Sequence, residues 1–215
     1  LWSRGLGDVY KRQIANSDDF VSSNVNGVHN LLELIKNHRG EHSTKPTLLH
    51  FSTDEVYGFI KPNEDREFKE TDILVPSSVY SSTKAASDLI ALSYHKTYGL
   101  NTIVTRCCNN FGPNQHKEKF IPTIIRSILN KQAIPVYGNG TNVREWIYVK
   151  DHCKHVLNVL ENGIPGEIYN IGSNVSFTNI EIVKQIGDYM TKKYNLQHHI
   201  KYVTDRKGHD FKYAI

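Results

Sequence analysis

Two short segments concentrate the groups that could move protons. Ser52-Thr53-Asp54-Glu55-Val56-Tyr57-Gly58 offers a hydroxyl beside two adjacent carboxylates, and Tyr80-Ser81-Ser82-Thr83-Lys84 offers a phenol one helical turn from an ammonium. An acid, a base and a phenol near a cation fit redox and elimination chemistry at one carbon skeleton. Residues 47–51, a short apolar run after Pro46, have the length and composition of a buried parallel strand. Open α/β sheets bind ligands at the C-terminal edge of such strands, so position favours Asp54 and Glu55 as site groups over an ordinary solvated pair.

Tyr followed by Lys four residues later occurs at Tyr57/Lys61, Tyr80/Lys84 and Tyr189/Lys193. Gly58 and Pro62 oppose a helix at the first pair. The third lies at the end of an amphipathic helix with no reactive strand end before it, which reads as a surface pair. Only Tyr80/Lys84 opens a long helical stretch, residues 80–98, in which this spacing stacks phenol and ammonium on one face. An adjacent ammonium favours the phenolate, so Tyr80 is expected to have a lowered pKa and to act as a base near neutral pH.

Further motifs follow in order: Cys108-Asn109-Asn110-Phe111-Gly112-Pro113, then the run from Val143-Arg144-Glu145-Trp146-Ile147-Tyr148 to His152, then Tyr169-Asn170-Ile171-Gly172 and Asp205-Arg206-Lys207-Gly208-His209-Asp210. With the first two segments they give the chain, from about Asp19 to Ile215, a sequence that resembles the extended short-chain dehydrogenase/reductase family. Within that family it is similar to nucleotide-sugar 4,6-dehydratases of the dTDP-glucose type. The resemblance implies an α/β fold: a Rossmann-type doubly wound parallel sheet with a smaller C-terminal substrate-binding region. It also implies bound NAD, a nucleoside-diphosphate-sugar substrate, a homodimer and a cytoplasmic location. Residues 14–111 would be a partial NAD-binding domain and 112–215 the substrate region, with about 142–172 returning to the Rossmann sheet.

Roles carry over by position, as implications of the resemblance. Tyr80 would take the proton of the sugar 4-hydroxyl, and Lys84 would lower its pKa and bind the cofactor ribose. Glu55 would remove the proton on carbon 5, Asp54 would protonate the departing 6-hydroxyl, and Thr53 would hold the 4-oxygen. Asn110 would lie at the cofactor and Asn109 at the substrate. Lys119 and Phe120 would cover the diphosphate, and Pro135, Val136 and Tyr137 would line the base pocket. Arg144 would clamp the diphosphate, with Asn179, Arg206 and His209 as further nucleotide contacts. Lys207 stands where the family pattern has proline, which sets the turn before His209 apart from that pattern.

Composition narrows the class. The chain has 215 residues, 39% of them hydrophobic, enough for a sizeable core, and its 22% charged fraction is that of a folded domain. The net charge of +4 is not gathered into a basic block, so no nucleic-acid partner is expected. No apolar run has transmembrane length, so no membrane partner is expected either. Cys107, Cys108 and Cys153 have neither a disulfide pattern nor a metal spacing, and His152/His155 on one helical face have no third ligand, so no metal is expected. The sequons at Asn139 and Asn174 are unaccompanied by a secretory signal, and Gly138-Asn139-Gly140 reads as a turn between strands.

Residues 1–13 resemble a translated library adaptor, so they are set aside as non-native. Gly5-Leu6-Gly7 lacks the third glycine of a dinucleotide fingerprint, and the family's opening βαβ segment is expected to be missing, as is the rest of a motif at the C-terminal end. Beyond those ends, strands are expected at 47–51, 102–106, 134–137, 146–149 and 167–171, and helices at 80–98, 122–130, 151–161 and 178–193. Asp151 is a candidate N-cap, and Thr178 with Glu181 has capping-box spacing. Val25, Val28, Leu32 and Ile35 form a stripe that calls for a sheet to cover it. The charged stretch 61–72 reads as a loop near the site. Three functions stay open: dehydration of dTDP-glucose or UDP-glucose, epimerisation or decarboxylation of a related sugar nucleotide, and non-catalytic binding by a dinucleotide fold. The Asp54-Glu55 pair argues for the first.

Overall fold

The computed structural model describes residues 17–38, 46–205 and 210–215. It is an α/β protein whose strands β1 (Leu48–Thr53), β2 (Thr102–Cys107) and β6 (Ile168–Ile171) form a parallel sheet in the order β1-β2-β6. Register sets Thr53 beside Cys107, and Arg106 between Ser52 and Asn170. A second sheet is built on β5 (Val143–Tyr148), which pairs in parallel with β3 (Asn109–Phe111) and β9 (Lys212–Tyr213) and antiparallel with β7 (Ser176–Thr178). Strands β4 (Ile134–Tyr137) and β8 (Ile200–Val203) form a parallel pair. The Gly138–Gly140 turn therefore leads from one sheet to another rather than closing a hairpin.

Helix α1 (Gly27–Lys36) is entered through a short turn, Asp18–Phe20, and a π-helical stretch, Val21–Asn26. Val25, inside the π-helical stretch, and Val28 are half-buried. Leu32 and Ile35 remain buried, but the cover they find is chiefly another helix: they cluster with Tyr94 and Leu100, with Leu48 of β1 packed alongside. That helix is α2 (Val79–Tyr98). Ser78 and Ser81 cap its N-terminus reciprocally, and Gly99, in the left-handed region, ends it.

Helix α3 spans Phe120–Leu129, α4 Val149–Asn162 and α5 Asn179–Tyr194. Thr178 and Glu181 form the expected capping box at α5. The N-cap of α4 is Tyr148, not Asp151, which lies inside the first turn, where its negative charge still suits the helix dipole. One core gathers Val56, Tyr57, Ala85, Cys108, Ile147 and Ile171 beneath the parallel sheet's C-terminal edge. A second joins Ile124, Ile128, Ile134, Val136, Trp146 and Val183 under α3 and α5. The stretch 61–72 is a loop, as expected, but it backs the strand-end turn instead of facing the cleft: Phe68 is buried against the Tyr57 ring, with centroids 5.0 Å apart. Among the described residues, no helix is long and apolar enough to cross a membrane.

Candidate active site

A cleft of about 660 Å³ opens at the C-terminal ends of β1 and β2. Strand β1 delivers Thr53 to its edge, and a 3₁₀ turn over Asp54–Tyr57 follows at once. The turn is tied to the strand end through Thr53, whose Oγ1 accepts the Glu55 amide at 3.3 Å and donates to Asp54 Oδ1 at 3.1 Å. Gly58 ends the turn at φ +84°, where a Cβ would lie 2.4 Å from the Val75 carbonyl oxygen. The N-terminal turn of α2 brings Tyr80 to the same cleft.

Of the residues singled out by motif, Thr53, Asp54, Glu55, Tyr80, Asn109 and Asn110 line the cleft. Lys119, Phe120, Tyr137, Arg144 and Asn179 complete its far wall. Pro135 and Val136 are not in the wall. Side chains alternate along a strand, so Val136 points opposite to Tyr137 and is buried in the second core. Arg206 and His209 lie outside the described residues, as do residues 1–13 and the Gly5-Leu6-Gly7 segment.

Asp54 is buried, and desolvation, then the neighbouring Glu55, pushes its carboxyl up to about 7. The other phenol and cation of the motif differ from expectation. Lys84 donates to the Phe51 carbonyl at the side of β1 rather than reaching the Tyr80 oxygen, and burial lowers its pKa. Burial first, and Glu55 second, push the Tyr80 phenol up, not down. The sequence spacing put both groups on one helical face, but β1 offers the ammonium a carbonyl there. Arg144 likewise has donors engaged: Nη1 reaches the Val143 and Phe211 carbonyls at 2.7 and 3.2 Å, and Nη2 the Asp210 carbonyl at 3.0 Å.

Two wall residues had no signal in the motif reading. Tyr213, on β9, bonds the Asp210 carboxylate, and its ring centroid lies 4.5 Å from the Arg144 guanidinium carbon. Burial and Glu55 raise its phenol. Only the pairing of β9 with β5, across a large sequence separation, brings it in. Cys107, at the end of β2, has its thiol pushed up to about 12 by burial and then Asp54. Ser52 Oγ, Asp54 Oδ2 and Asn110 Oδ1 are buried at the cleft with no hydrogen-bond partner in the protein. Such atoms are uncommon and mark a surface shaped to receive polar groups. Among the described residues, no cluster of three or more His, Cys, Asp or Glu could hold a metal ion.

The chain is similar to known proteins over most of its length. Residues 6–172 match the model of the NAD dependent epimerase/dehydratase family. The chain belongs to that family. Among its relatives is the low-salt glycan biosynthesis protein Agl12 of Haloferax volcanii, 45% identical over 204 residues, which cover 95% of this chain and 62% of the relative. The dTDP-glucose 4,6-dehydratase of Streptomyces niveus is 40% identical over 204 residues, covering 95% of this chain and 57% of the relative. The crystal structure of the dTDP-glucose 4,6-dehydratase DesIV from Streptomyces venezuelae, with NAD and TYD bound, superposes with a TM-score of 0.86 at 40% identity. It covers 95% of this chain and 60% of that one. The chain thus spans about three fifths of the length of the curated family members it matches.

Proposed function

We propose that the complete protein is a hydro-lyase that converts dTDP-glucose, with NAD, into its 4-keto-6-deoxy derivative. The observation that carries this reading is Asp54: a buried carboxyl raised to about 7, in the same cleft as Glu55 and Tyr80. An epimerase of the same family shares the phenol and the lysine but has no use for a protonated acid beside a second carboxylate. The 40% identity to dTDP-glucose 4,6-dehydratases supports the same choice.

Asn110, Tyr80 and Lys84 would hold the nicotinamide ribose, and the unpartnered Asn110 Oδ1 and Ser52 Oγ fit a polar ligand at that edge. Bound NAD supplies a hydride acceptor at carbon 4 and, once reduced, a hydride donor at carbon 6. Tyr80 takes the proton of the 4-hydroxyl. Because burial and Glu55 oppose its ionisation, this role needs a cation nearby, and Lys84 is the group of this chain placed to supply it after leaving the Phe51 carbonyl. With carbon 4 a ketone, the carbon 5 proton is acidic and Glu55 removes it. Asp54, whose raised pKa of about 7 leaves a substantial protonated fraction at neutral pH, gives its proton to the 6-hydroxyl, which departs as water. Thr53 holds the 4-oxygen, so its contribution is orientation.

Asn109, Lys119, Phe120, Tyr137, Arg144 and Asn179 form the nucleotide side of the cleft in this reading, with Arg206 and His209 as further contacts. Homodimerisation in the cytoplasm belongs to the same proposal. Incubating the complete protein with NAD and dTDP-glucose should yield the 4-keto-6-deoxy sugar nucleotide by mass spectrometry. Recovery of unchanged substrate, or of its 4-epimer, would refute the dehydratase reading.

A further inference from the structure

Behind the cleft, three buried side chains and the half-buried Asn170 form a hydrogen-bonded chain that no motif role uses. Arg106 is almost fully buried, 1% exposed, on β2. Its Nε donates to Asp88 Oδ2 at 3.0 Å, and its Nη1 donates to the Tyr57 hydroxyl at 2.7 Å. The hydroxyl in turn donates to Asn170 Oδ1 at 2.8 Å, and Asn170 Nδ2 donates to the Phe68 carbonyl at 3.1 Å. The direction of these bonds is consistent from the guanidinium outward. The ring of Tyr57 is held between the guanidinium carbon, 4.7 Å from its centroid, and Phe68. At the inner end His50 Nε2 lies 3.3 Å from Asp88 Oδ1 but is hydrogen-bonded to Ser87 Oγ at 3.1 Å, which leaves Oδ1 without a hydrogen-bond partner.

The placement matters more than the pairing. Tyr57 ends the turn that begins with Asp54 and Glu55, so fixing its hydroxyl fixes that turn. Asp88 lies one helical turn beyond Lys84 and two beyond Tyr80 on α2. Arg106 is the last strand residue before Cys107 at the cleft, in register with Asn170. The chain therefore bolts together the three elements that carry the acid, the bases and the cofactor-side groups. A buried ion pair adds little net stability, because desolvation offsets its attraction, so its effect falls on geometry. Burial raises the Tyr57 phenol, which keeps it a neutral donor to Asn170.

We propose that Tyr57, Arg106, Asp88 and Asn170 form a positioning network that sets the distance between the Asp54/Glu55 turn and the Tyr80 helix. In the proposed dehydration, on which this inference rests, oxidation at carbon 4 depends on α2 while elimination depends on the turn. Loosening the link should therefore slow elimination more than oxidation.

The test is Tyr57→Phe in the complete protein, which keeps the ring and its stacking but removes the hydroxyl at the centre of the chain. Elimination should slow about tenfold or more, the scale expected for displacing a reacting group by a fraction of an ångström to an ångström. KM for dTDP-glucose should stay near that of the unmodified protein, and the reduced nicotinamide should accumulate during turnover in stopped-flow absorbance. Asn170→Ala, at a half-buried position, removes the outer acceptor and should shift the same partition less strongly; it decides the matter if Tyr57→Phe does not fold. Equal slowing of both half-reactions, or no change in either variant, would overturn the inference. An unmodified protein that forms no 4-keto product would instead overturn the dehydratase reading itself.

Discussion

Thr53 and Asp54 share a hydrogen bond of 3.1 Å in which the threonine hydroxyl serves Oδ1 and leaves Oδ2 buried without a partner. One neutral donor cannot offset desolvation beside a second carboxylate, so Asp54 holds a proton up to about pH 7. Its unpartnered oxygen is the one free to deliver that proton. Asp54→Asn keeps the shape and removes the transferable proton. Elimination should then slow roughly a hundredfold or more while oxidation at carbon 4 survives, and bound reduced cofactor should build up in stopped-flow absorbance.

The same shift makes a stability prediction. The folded pKa lies above the unfolded one, so the folded state binds the extra proton between about pH 4 and 7, and stability falls as pH rises through that window. The loss is at most on the order of 4 kcal/mol. Asp54→Asn should therefore raise the Tm at pH 8 relative to the unmodified protein and change it little at pH 4. Matched Tm differences at both values would show that Asp54 is not held protonated.

Glu55→Gln should also block elimination, and it should further suppress solvent-deuterium incorporation at carbon 5, because the base proposed to remove that hydrogen is gone. Mass spectrometry of recovered sugar separates it from Asp54→Asn, in which the exchange persists.

Tyr80→Phe should cost roughly a hundredfold or more in oxidation at carbon 4 with little change in nucleotide-sugar affinity, since the phenyl ring keeps its edge contact with Phe20, at 5.8 Å between centroids. Single-turnover formation of reduced cofactor measures the first quantity and calorimetry the second.

Gly58→Ala should destabilise by about 1–3 kcal/mol, because φ is positive there and the added methyl meets the Val75 carbonyl. Denaturant unfolding reads the loss. The damage should reach activity as well, since the residue ends the turn that presents both carboxylates.

Much of this arrangement could be read in the residues. The apolar run before Asp54 became β1, and the four-residue spacing from Tyr80 to Tyr98 became α2, because a buried strand and a long helix carry their own periodicity. Strands β3, β7 and β9 were not legible because runs of two or three residues have no period to detect, and β8 was missed as well; the partners of all four lie far away in sequence. The site shows the same division. Motif order pointed to Asp54 and Glu55, which directly follow β1, and to Tyr80, in the first turn of the long helix α2. Tyr213 reaches the cleft only through long-range pairing, and Lys84 finds the Phe51 carbonyl because a neighbouring strand presents one. Phenol pKa is likewise a property of burial, which spacing along a helix does not encode.

Chain order has a consequence for how the cleft comes to exist. Strand β9 docks along β5, the Phe68 amide bonds the Ala214 carbonyl, and the Ile215 amide bonds Glu145 Oε2 at 2.9 Å. All of these partners leave the ribosome long before residues 210–215 do. Until that late stretch arrives, Arg144 lacks the Asp210 and Phe211 carbonyls that seat it, and the pocket lacks the Tyr213 wall. The strand-end turn with Asp54 and Glu55 is therefore synthesised well before the β9 segment that walls its cleft.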